Sequence, residues 1–388
     1  MMIRDRLERL VAQKRTILGV GPMSTNCIDS AIEISNTYEI PILLIASRRQ
    51  IDSEEFGGGY VNNWTTSDFS EYVFAKDMKG LVYLCRDHGG PWQNPSEKES
   101  NLGLKNAMDS AKLSYKADIE AGFQILHIDP SIDIHGNPSM QEIVDRVLEL
   151  YEYCWMIGEK YGRKLEFEIG TEEQSGSTSS AIEFEKMLQR VNRYCDKYHM
   201  NRPLFAVVQN GTKVIETRNV GSFDAAVRVA EEVAPEIQIP LMEKICQREG
   251  VMIKAHNTDY LSDDSLRWYP RLGIHAANVA PEFGVVETKA LMSVMRNNGL
   301  YDLEQEFIDL VVRSSKWKKW MAPDSEATDR ERAEIAGHYI YSQPEFSEIK
   351  SRISDCLRKK GEDLDEILKE QIKKSILRFL VDFRMVDR

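Results

Sequence analysis

The sequence lacks the cysteine pairs that a zinc ribbon or a disulfide framework would need. Its six cysteines stand singly in 388 residues, and no CxxC spacing occurs among them. No apolar run approaches the ~20 residues that cross a bilayer. The N-terminal residues 1–14 alternate charges with aliphatic side chains, which is typical of an amphipathic helix and not of a signal peptide. We therefore expect a cytoplasmic protein.

Basic residues are too few to favour a polyanionic partner. The chain has 50 Lys and Arg residues against 62 Asp and Glu residues, and its formal net charge is −12. Nucleic acids and anionic membranes favour basic protein surfaces. The charge therefore argues against both as the main partner.

Eight short runs of mainly apolar residues recur along the chain, and segments with helical periodicity separate most of them. The runs are Thr16–Gly21, Pro41–Ser47, Leu81–Asp87, Ile125–Asp129, Leu165–Gly170, Phe205–Gln209, Val251–His256 and Gly273–Val279. Apolar strands that alternate with amphipathic helices predict a parallel sheet covered on its outer face. Eight such units predict an α/β fold, the (β/α)8 TIM barrel.

An open, doubly wound sheet is the competing fold. The count of eight strands and the lack of a GxGxxG motif after the first strand favour the barrel. After Gly299 the alternation ends, and Leu300–Trp320 and Glu345–Arg384 have helical periodicity. We therefore predict a barrel with an N-terminal helix over residues 1–299 and a helical C-terminal extension over residues 300–388.

Polar side chains follow six of the eight predicted strands, at the face where TIM barrels carry their active sites. Imidazole and carboxylate groups together are common zinc ligands. We predict a site for Zn²⁺ or another divalent metal, formed by His88, His256 and a carboxylate from Glu172 or Glu173. A metal there acts as a Lewis acid on a substrate oxygen, and Asp87 is placed to transfer a proton.

The other polar residues at the predicted mouth are assigned to the substrate. Which of Glu172 and Glu173 binds the metal stays open, and we assign Glu172 to the metal and Glu173 to catalysis beside Asp87. The predicted substrate-binding residues are Arg48, Arg49, Gln50, His127, Asp129, Gln209, Asn257 and Asn278.

Lys254 offers a different chemistry. It lies two residues before His256, so both side chains point to the same side of the strand. A buried lysine at this position could form a Schiff base with a carbonyl substrate. The alternative, which we favour, is a salt bridge inside the barrel with Glu166 or Glu168.

Several short motifs occur in the order and at the spacing of a known family. They are Phe56–Tyr60, Thr66–Phe69, Asp87–Pro91, Ala121–Phe123, His127–Asp129, Ile169–Glu172 and Ala255–Tyr260. With them the chain resembles the non-catalytic-subunit family of class II tagatose-bisphosphate aldolases, and behind it the zinc-dependent class II ketose-bisphosphate aldolases. The resemblance runs from residue 17 to residue 299, and more weakly into the tail.

The resemblance implies roles for the matching residues. Class II aldolases have an Asp-His pair whose His binds zinc and whose Asp transfers the proton, here Asp87 and His88. Their His at the end of strand seven matches His256, and their strand-eight Asn matches Asn278. Their remaining ligand follows a Gly-Thr pair in strand five, where this chain carries a carboxylate instead of a histidine.

The loop after strand seven departs from those aldolases. There, Gly and Ser backbone amides hold a phosphate, whereas this chain reads Asn257–Tyr260, without Gly and with an added carboxylate at Asp259. Pro281 also removes an N–H donor after strand eight. The usual phosphate cradle is therefore weakened.

Two arginines at the mouth of strand two offer another anion site. Arginine pairs well with phosphate and carboxylate, so Arg48 and Arg49 are predicted to bind an anionic group of the substrate. The alternative is that both pair with nearby carboxylates of the chain, namely those of Asp52, Glu54 or Glu55.

The resemblance implies a metal-dependent aldolase or 4-epimerase that acts on a ketose-type sugar, phosphorylated or acidic. The alternative is a non-catalytic subunit that stabilises a tagatose-bisphosphate aldolase. We expect a small-molecule sugar or sugar phosphate as the substrate. The chain is expected to work as a homo-oligomer or in a complex with an aldolase catalytic subunit.

Overall fold

Ten strands occur in the computed structural model, which describes residues 2–170, 181–223 and 233–387. They are β1 (Ile17–Val20), β2 (Ile42–Ser47), β3 (Val82–Gly89), β4 (Ile125–Ile128), β5 (Glu166–Ile169), β6 (Phe205–Val207), β7 (Val214–Ile215), β8 (Arg218–Asn219), β9 (Met252–Ala255) and β10 (Ala276–Val279). Eight of them are parallel neighbours in a closed barrel, in the order β1-β10-β9-β6-β5-β4-β3-β2. The predicted TIM barrel is confirmed, and the open sheet is wrong. Strands β7 and β8 form a separate antiparallel pair.

Helices cover the outer face of the barrel and form the C-terminal extension. They are α1 (Ile3–Ala12), α2 (Thr25–Tyr38), α3 (Thr66–Lys76), α4 (Pro95–Glu99), α5 (Leu104–Ala121), α6 (Met140–Tyr161), α7 (Ala181–Lys197), α8 (Pro235–Glu249), α9 (Asp263–Leu272), α10 (Pro281–Asn297), α11 (Tyr301–Ser314), α12 (Asp329–Ala336), α13 (Pro344–Arg358) and α14 (Leu364–Asp382). Residues 222–233 also have helical periodicity in the sequence, and of these, positions 224–232 lie outside the described residues. Within the described ranges, no helix is long and apolar enough to span a bilayer.

Local sequence signals explain where the helices begin and end. Helix α6 begins after Ser139, whose side chain accepts a hydrogen bond from the amide of Glu142 while the Glu142 carboxylate caps Ser139 in return. It ends at Gly162, which has a left-handed backbone (φ 63°). The single C-terminal helical segment predicted from residue 345 is two helices, α13 and α14, separated by a turn with Gly361 at φ 74°.

The interior of the barrel is apolar near the amino ends of the strands. Ile17, Leu43, Ile45 and Cys85 belong to one buried cluster, which Leu7 of α1 joins. Arg4 of α1 also pairs with Glu166 at 2.5 Å. Helix α1 therefore closes this end and leaves the opposite end for polar side chains.

The C-terminal extension packs on the barrel's own helical layer. Ile372, Ile376 and Phe379 of α14 are buried in the same core as Ile28 and Ala31 of α2. A second core joins residues of α10 to α11, α12 and α13. Because α14 contributes to the main core, we expect the extension to unfold together with the barrel. A domain boundary at residue 299 stays a prediction.

Phe379→Ala tests this expectation. The Phe379 side chain is fully buried, so its removal should lower the free energy of unfolding by about 3–5 kcal/mol. Urea denaturation should show one cooperative transition for both proteins. Lys374→Ala, on the exposed face of the same helix, should change stability by less than about 0.5 kcal/mol. A Phe379 variant with an unchanged barrel transition would contradict the shared core.

Candidate active site

Five polar side chains meet at the carboxyl end of the barrel. Asp87 and His88 end β3, His127 lies on β4, Glu168 lies on β5 and His256 directly follows β9. One ligand atom from each of His88, His127 and His256 lies within 4.8 Å of the others, and the same holds for Asp87, His127, Glu168 and His256. The carboxyl ends of the parallel strands lie at one face of the barrel. Asp87 and His256, which are 169 positions apart in the sequence, are therefore neighbours in the structure.

His88 is held in place from three directions. Its backbone has a left-handed conformation (φ 45°), and its amide donates to Nδ1 of His127 at 3.1 Å. Its ring Nδ1 lies 2.6 Å from Oδ2 of Asp129, and its Nε2 lies 3.2 Å from Nδ1 of His256. Burial opposes a charge on His88, but Asp87 and the bond to Asp129 outweigh it and raise the pKa of His88 to about 9. A positive φ at a non-glycine residue is costly, and it recurs at functional sites.

Asp87 is an ionised carboxylate at the cluster. Its Oδ1 accepts a hydrogen bond from Nδ2 of Asn278 at 3.1 Å and lies 3.8 Å from Nδ1 of His127. Burial opposes the charge, but the nearby His88 and the other imidazoles outweigh it and hold the pKa of Asp87 below its usual range. Asp87 also lines a cavity, so a bound molecule can reach its carboxylate.

Glu168 was not predicted from the sequence as a candidate metal ligand, yet it lies in the cluster. Its Oε1 lies 2.8 Å from Nε2 of His256, and its Oε2 lies 2.5 Å from Nζ of Lys254. Burial opposes its ionisation, yet Lys254 and the imidazoles lower its pKa. Glu168 and Glu166 alternate along β5 with a period of two, and both face the interior. That alternation was the signal available in the sequence.

Lys254 forms the predicted salt bridge, so its side chain is not a free amine. Of the two candidate partners, Glu168 binds it, while Glu166 pairs with Arg4 near the other end of the barrel. Burial disfavours the ammonium, but Glu168 outweighs burial and raises the pKa of Lys254. A lysine held as a cation is a poor nucleophile, which argues against a Schiff base.

The two arginines predicted to bind substrate differ in their surroundings. Arg48 is buried, with Nε 2.9 Å from Asp52 and Nη1 2.5 Å from Glu97. Its pairing with Asp52 is the alternative weighed from the sequence, and it occupies the guanidinium. Arg49 is exposed and lines the cavity beside Asp87.

The remaining predicted residues divide into four groups. Gln50, Asp129 and Asn257 line the cavity, whereas His127 and Asn278 lie beneath it in contact with the cluster. Gln209 is buried just after β6. Glu172 and Glu173 lie outside the described residues, so their assigned roles stay predictions.

Two glycines leave space for side chains of the cluster, because they have no Cβ atom. A Cβ atom at Gly19 of β1 would stand 2.4 Å from Oδ1 of Asn278, and one at Gly170 would stand 2.5 Å from Nε2 of His127. Both distances are shorter than any tolerable contact, so a larger residue would displace the site side chain. Small residues on β1 and after β5 thus set the positions of Asn278 and His127.

The cavity above the cluster has a volume of about 390 Å³. That volume suits a small-molecule ligand. Its walls come from the segments after β1, β2, β3, β4, β9 and β10 and, unexpectedly, from the C-terminal extension. The contributions of the extension are Lys319, Trp320 and Tyr339.

The donor set fits a divalent metal. Three imidazoles and two carboxylates converge, and such mixed nitrogen and oxygen sets bind zinc and similar ions. Nδ1 of His127 lies 3.8 Å from Asp87 and 3.7 Å from Glu168, and among the described residues its Nε2 has no hydrogen-bond partner. The cluster is therefore compatible with a divalent ion.

Comparison with known proteins places the chain in a family. The sequence profile described as D-tagatose-1,6-bisphosphate aldolase subunit GatZ/KbaZ-like matches residues 5–333. The chain belongs to this GatZ/KbaZ-like family. The resemblance read from the motifs is confirmed.

Solved structures share the fold of this GatZ/KbaZ-like chain. A probable tagatose 6 phosphate kinase from Sinorhizobium meliloti 1021 is similar with a TM-score of 0.74 and 17% identity, over 95% of this chain and 100% of that chain. A fructose-bisphosphate aldolase from Campylobacter jejuni is similar with a TM-score of 0.54 and 11% identity, over 99% of this chain and 94% of that chain. At these identities the likeness shows an aldolase-like TIM-barrel fold alone.

The GatZ/KbaZ-like chain fills the amino end of α10 with its own carboxylate. Oδ1 of Asp259 accepts hydrogen bonds from the amides of Ala280 at 3.0 Å and Glu282 at 2.9 Å. Helix amino ends attract anions, and here that position belongs to the protein. Burial and the neighbouring Glu282 raise the pKa of Asp259 to about 7, although the two amides lower it.

Asp259→Asn tests this arrangement. The folded carboxyl holds its proton more tightly than the unfolded chain does, so ionisation of Asp259 costs folding free energy as pH rises from about 4 to about 7. Asparagine keeps an oxygen for the two amides and carries no charge. The stability of the variant relative to the unsubstituted protein should therefore rise across this window, by on the order of 1–4 kcal/mol.

The measurement is urea denaturation at several pH values between 4 and 8. Asp264→Asn serves as the control, because the Asp264 side chain is 91% exposed. A stability difference for Asp259→Asn that stays constant with pH would contradict the raised pKa.

Proposed function

We propose that this chain is a metal-dependent enzyme that cleaves, forms or epimerises a ketose-type sugar, phosphorylated or acidic, by aldol chemistry. The observation that carries the proposal is Asp87, an ionised carboxylate fixed by Asn278 beside three imidazoles and open to a cavity. A scaffold has no need to hold these groups in contact, since each buried ionisable side chain costs free energy.

The imidazoles of His88, His127 and His256 would hold the ion, with a carboxylate from Glu168 or from the predicted Glu172. Such an ion supplies Lewis acidity that polarises a substrate carbonyl. Lys254 neutralises Glu168, and Asp129 orients the ring of His88 through Nδ1. These partners would position the metal ligands, as hydrogen bonds to ligand side chains do in metal sites.

Asp87 would move the proton in the reaction. In the cleavage direction the Asp87 carboxylate would remove the proton of the C4 hydroxyl. The C3–C4 bond then breaks, and the electron pair of that bond passes to C3, which gives an enediolate. The other fragment leaves as an aldehyde, and cleavage is complete when the enediolate takes up a proton at C3. Re-addition of the enediolate to the opposite face of that aldehyde gives the 4-epimer, so one set of residues serves cleavage and epimerisation. Glu173 stays a predicted second catalytic group.

A non-catalytic role is the second candidate function. The family description names an aldolase subunit, and a subunit of this kind would stabilise a separate catalytic aldolase. In that case the purified chain would be inactive alone, and it would form a complex with the catalytic subunit. A homo-oligomer with its own activity is the outcome expected from the enzymatic proposal.

Asp87→Asn tests the enzymatic proposal. The purified chain, loaded with Zn²⁺, is incubated with ketose phosphates and uronates, and epimers or trioses are followed by NMR. The variant should lose about 10²- to 10⁴-fold in kcat, because asparagine cannot accept the proton. Its KM should change little, since the amide keeps the shape and the contact with Asn278.

Matched controls separate the interpretations. Asp264→Asn, on an exposed helix start, should keep full activity. A chelator should abolish turnover, and added Zn²⁺ should restore it. Full activity of Asp87→Asn would exclude the proton-transfer role. Activity that appears only in the presence of an aldolase catalytic subunit, and that Asp87→Asn leaves intact, would favour the non-catalytic role.

A further inference from the structure

The C-terminal extension contributes a lysine to the cavity. Lys319 lies in a short 3-10 turn, Lys318–Trp320, and its Nζ stands 4.8 Å from the ring centroids of both Trp320 and Tyr339. The two rings are joined, because the indole N–H of Trp320 donates to the Tyr339 hydroxyl at 3.2 Å. Cation–π contacts on two sides restrict where the ammonium can go. Lys319 is thus positioned at the mouth of the cavity by the two rings, although its side chain stays exposed to solvent.

Arg49 brings a second cation to the same cavity. It lies in the loop after β2, and within the described ranges neither Arg49 nor Lys319 forms an ion pair with a carboxylate. Partial loss of water, together with Arg49 and Lys316, lowers the pKa of Lys319 to about 7. Arg48, by contrast, has its charge balanced by Asp52 and Glu97. Two basic groups that have no carboxylate partner among the described residues thus line one cavity, and a bound anion would favour the protonated form of Lys319.

The other obvious anion position is closed. The amides at the start of α10 donate to Asp259, whose own carboxylate would repel a second anion there. An anionic group of a ligand therefore has its favourable contacts at Arg49 and Lys319. Asp87 and His88 line the same cavity, so a ligand held by the cations still reaches the reacting groups.

We propose that Lys319 and Arg49 bind the phosphate group of a monophosphorylated ketose, and that the extension thereby determines substrate specificity. The proposal rests on the proposed function for the identity of the sugar, but not for the anion site itself. A phosphate monoester carries close to two negative charges at neutral pH, which matches two cations better than a single carboxylate does.

Anion binding without turnover tests the site. Inorganic phosphate, sulfate and acetate are titrated calorimetrically into the full-length chain freed of metal, so that no ion contributes to the affinity. Phosphate and sulfate should bind more tightly than acetate. Lys319→Met and Arg49→Met should each weaken phosphate binding by about 10- to 100-fold, as expected for the loss of a charged hydrogen-bond partner. Lys318→Met should bind as the unsubstituted protein does, because Lys318 is exposed beside Trp317 and does not line the cavity.

Three results would overturn the proposal: no phosphate binding by the unsubstituted chain, less than twofold weakening in both cavity variants, or equal affinity for acetate. The last result would assign the site to a carboxylated sugar. A substrate found by the activity screen gives the second readout, in which Lys319→Met should raise KM for a phosphorylated ketose far more than it lowers kcat. Phosphate binding that persists in a chain without activity would contradict the enzymatic proposal and leave the anion site intact.

Discussion

The site depends on one buried ion pair, between Glu168 and Lys254 in the middle of the barrel. Glu168 uses one oxygen for Lys254 and the other for His256, whose ring in turn contacts His88. Isolated charges are very costly in such an interior, so each group is stable only because the next one is present. His88 then extends the network to Asp129 at the mouth. The imidazoles are consequently arranged before any ligand arrives.

The two ends of the barrel interior differ in composition, and we assign stability to one end and chemistry to the other. Aliphatic side chains and α1 fill the amino end, while the polar network occupies the carboxyl end. The extension is tied to both the core and the mouth. Phe379 of α14 packs in the main core. The Lys319 ammonium contacts the rings of Trp320 and Tyr339 at the cavity. The backbone amide of Glu216, next to β7, also donates to the carbonyl of Trp320 at 2.7 Å, which joins the extension to the barrel loops.

The fold and the centre of the site could be predicted from sequence, because strand periodicity is local and strand ends converge by topology. The positions of Asp87, His88 and His256 could be predicted from this convergence of strand ends alone. Glu168 was not predicted as a metal ligand, because a carboxylate inside a strand is explained equally well as part of a structural salt bridge. Its place in the site became clear only from the contact between its other oxygen and His256. Arg48 and Arg49 are adjacent and alike in sequence, yet only one is buried between carboxylates. Lys319 could not be assigned, since nothing local indicates that a residue 270 positions from Arg49 faces the same cavity.

Anomalous X-ray diffraction at the zinc absorption edge, on crystals of the chain grown with Zn²⁺, tests the central claim most directly. We expect a single strong peak inside the barrel mouth, from an ion bonded to nitrogen atoms of His88 and His256 at the ~2.0–2.1 Å typical of zinc. The ion would also contact His127 or a carboxylate of the cluster. Peaks confined to the protein surface, with the imidazole and carboxylate network unchanged, would contradict a metal-dependent site.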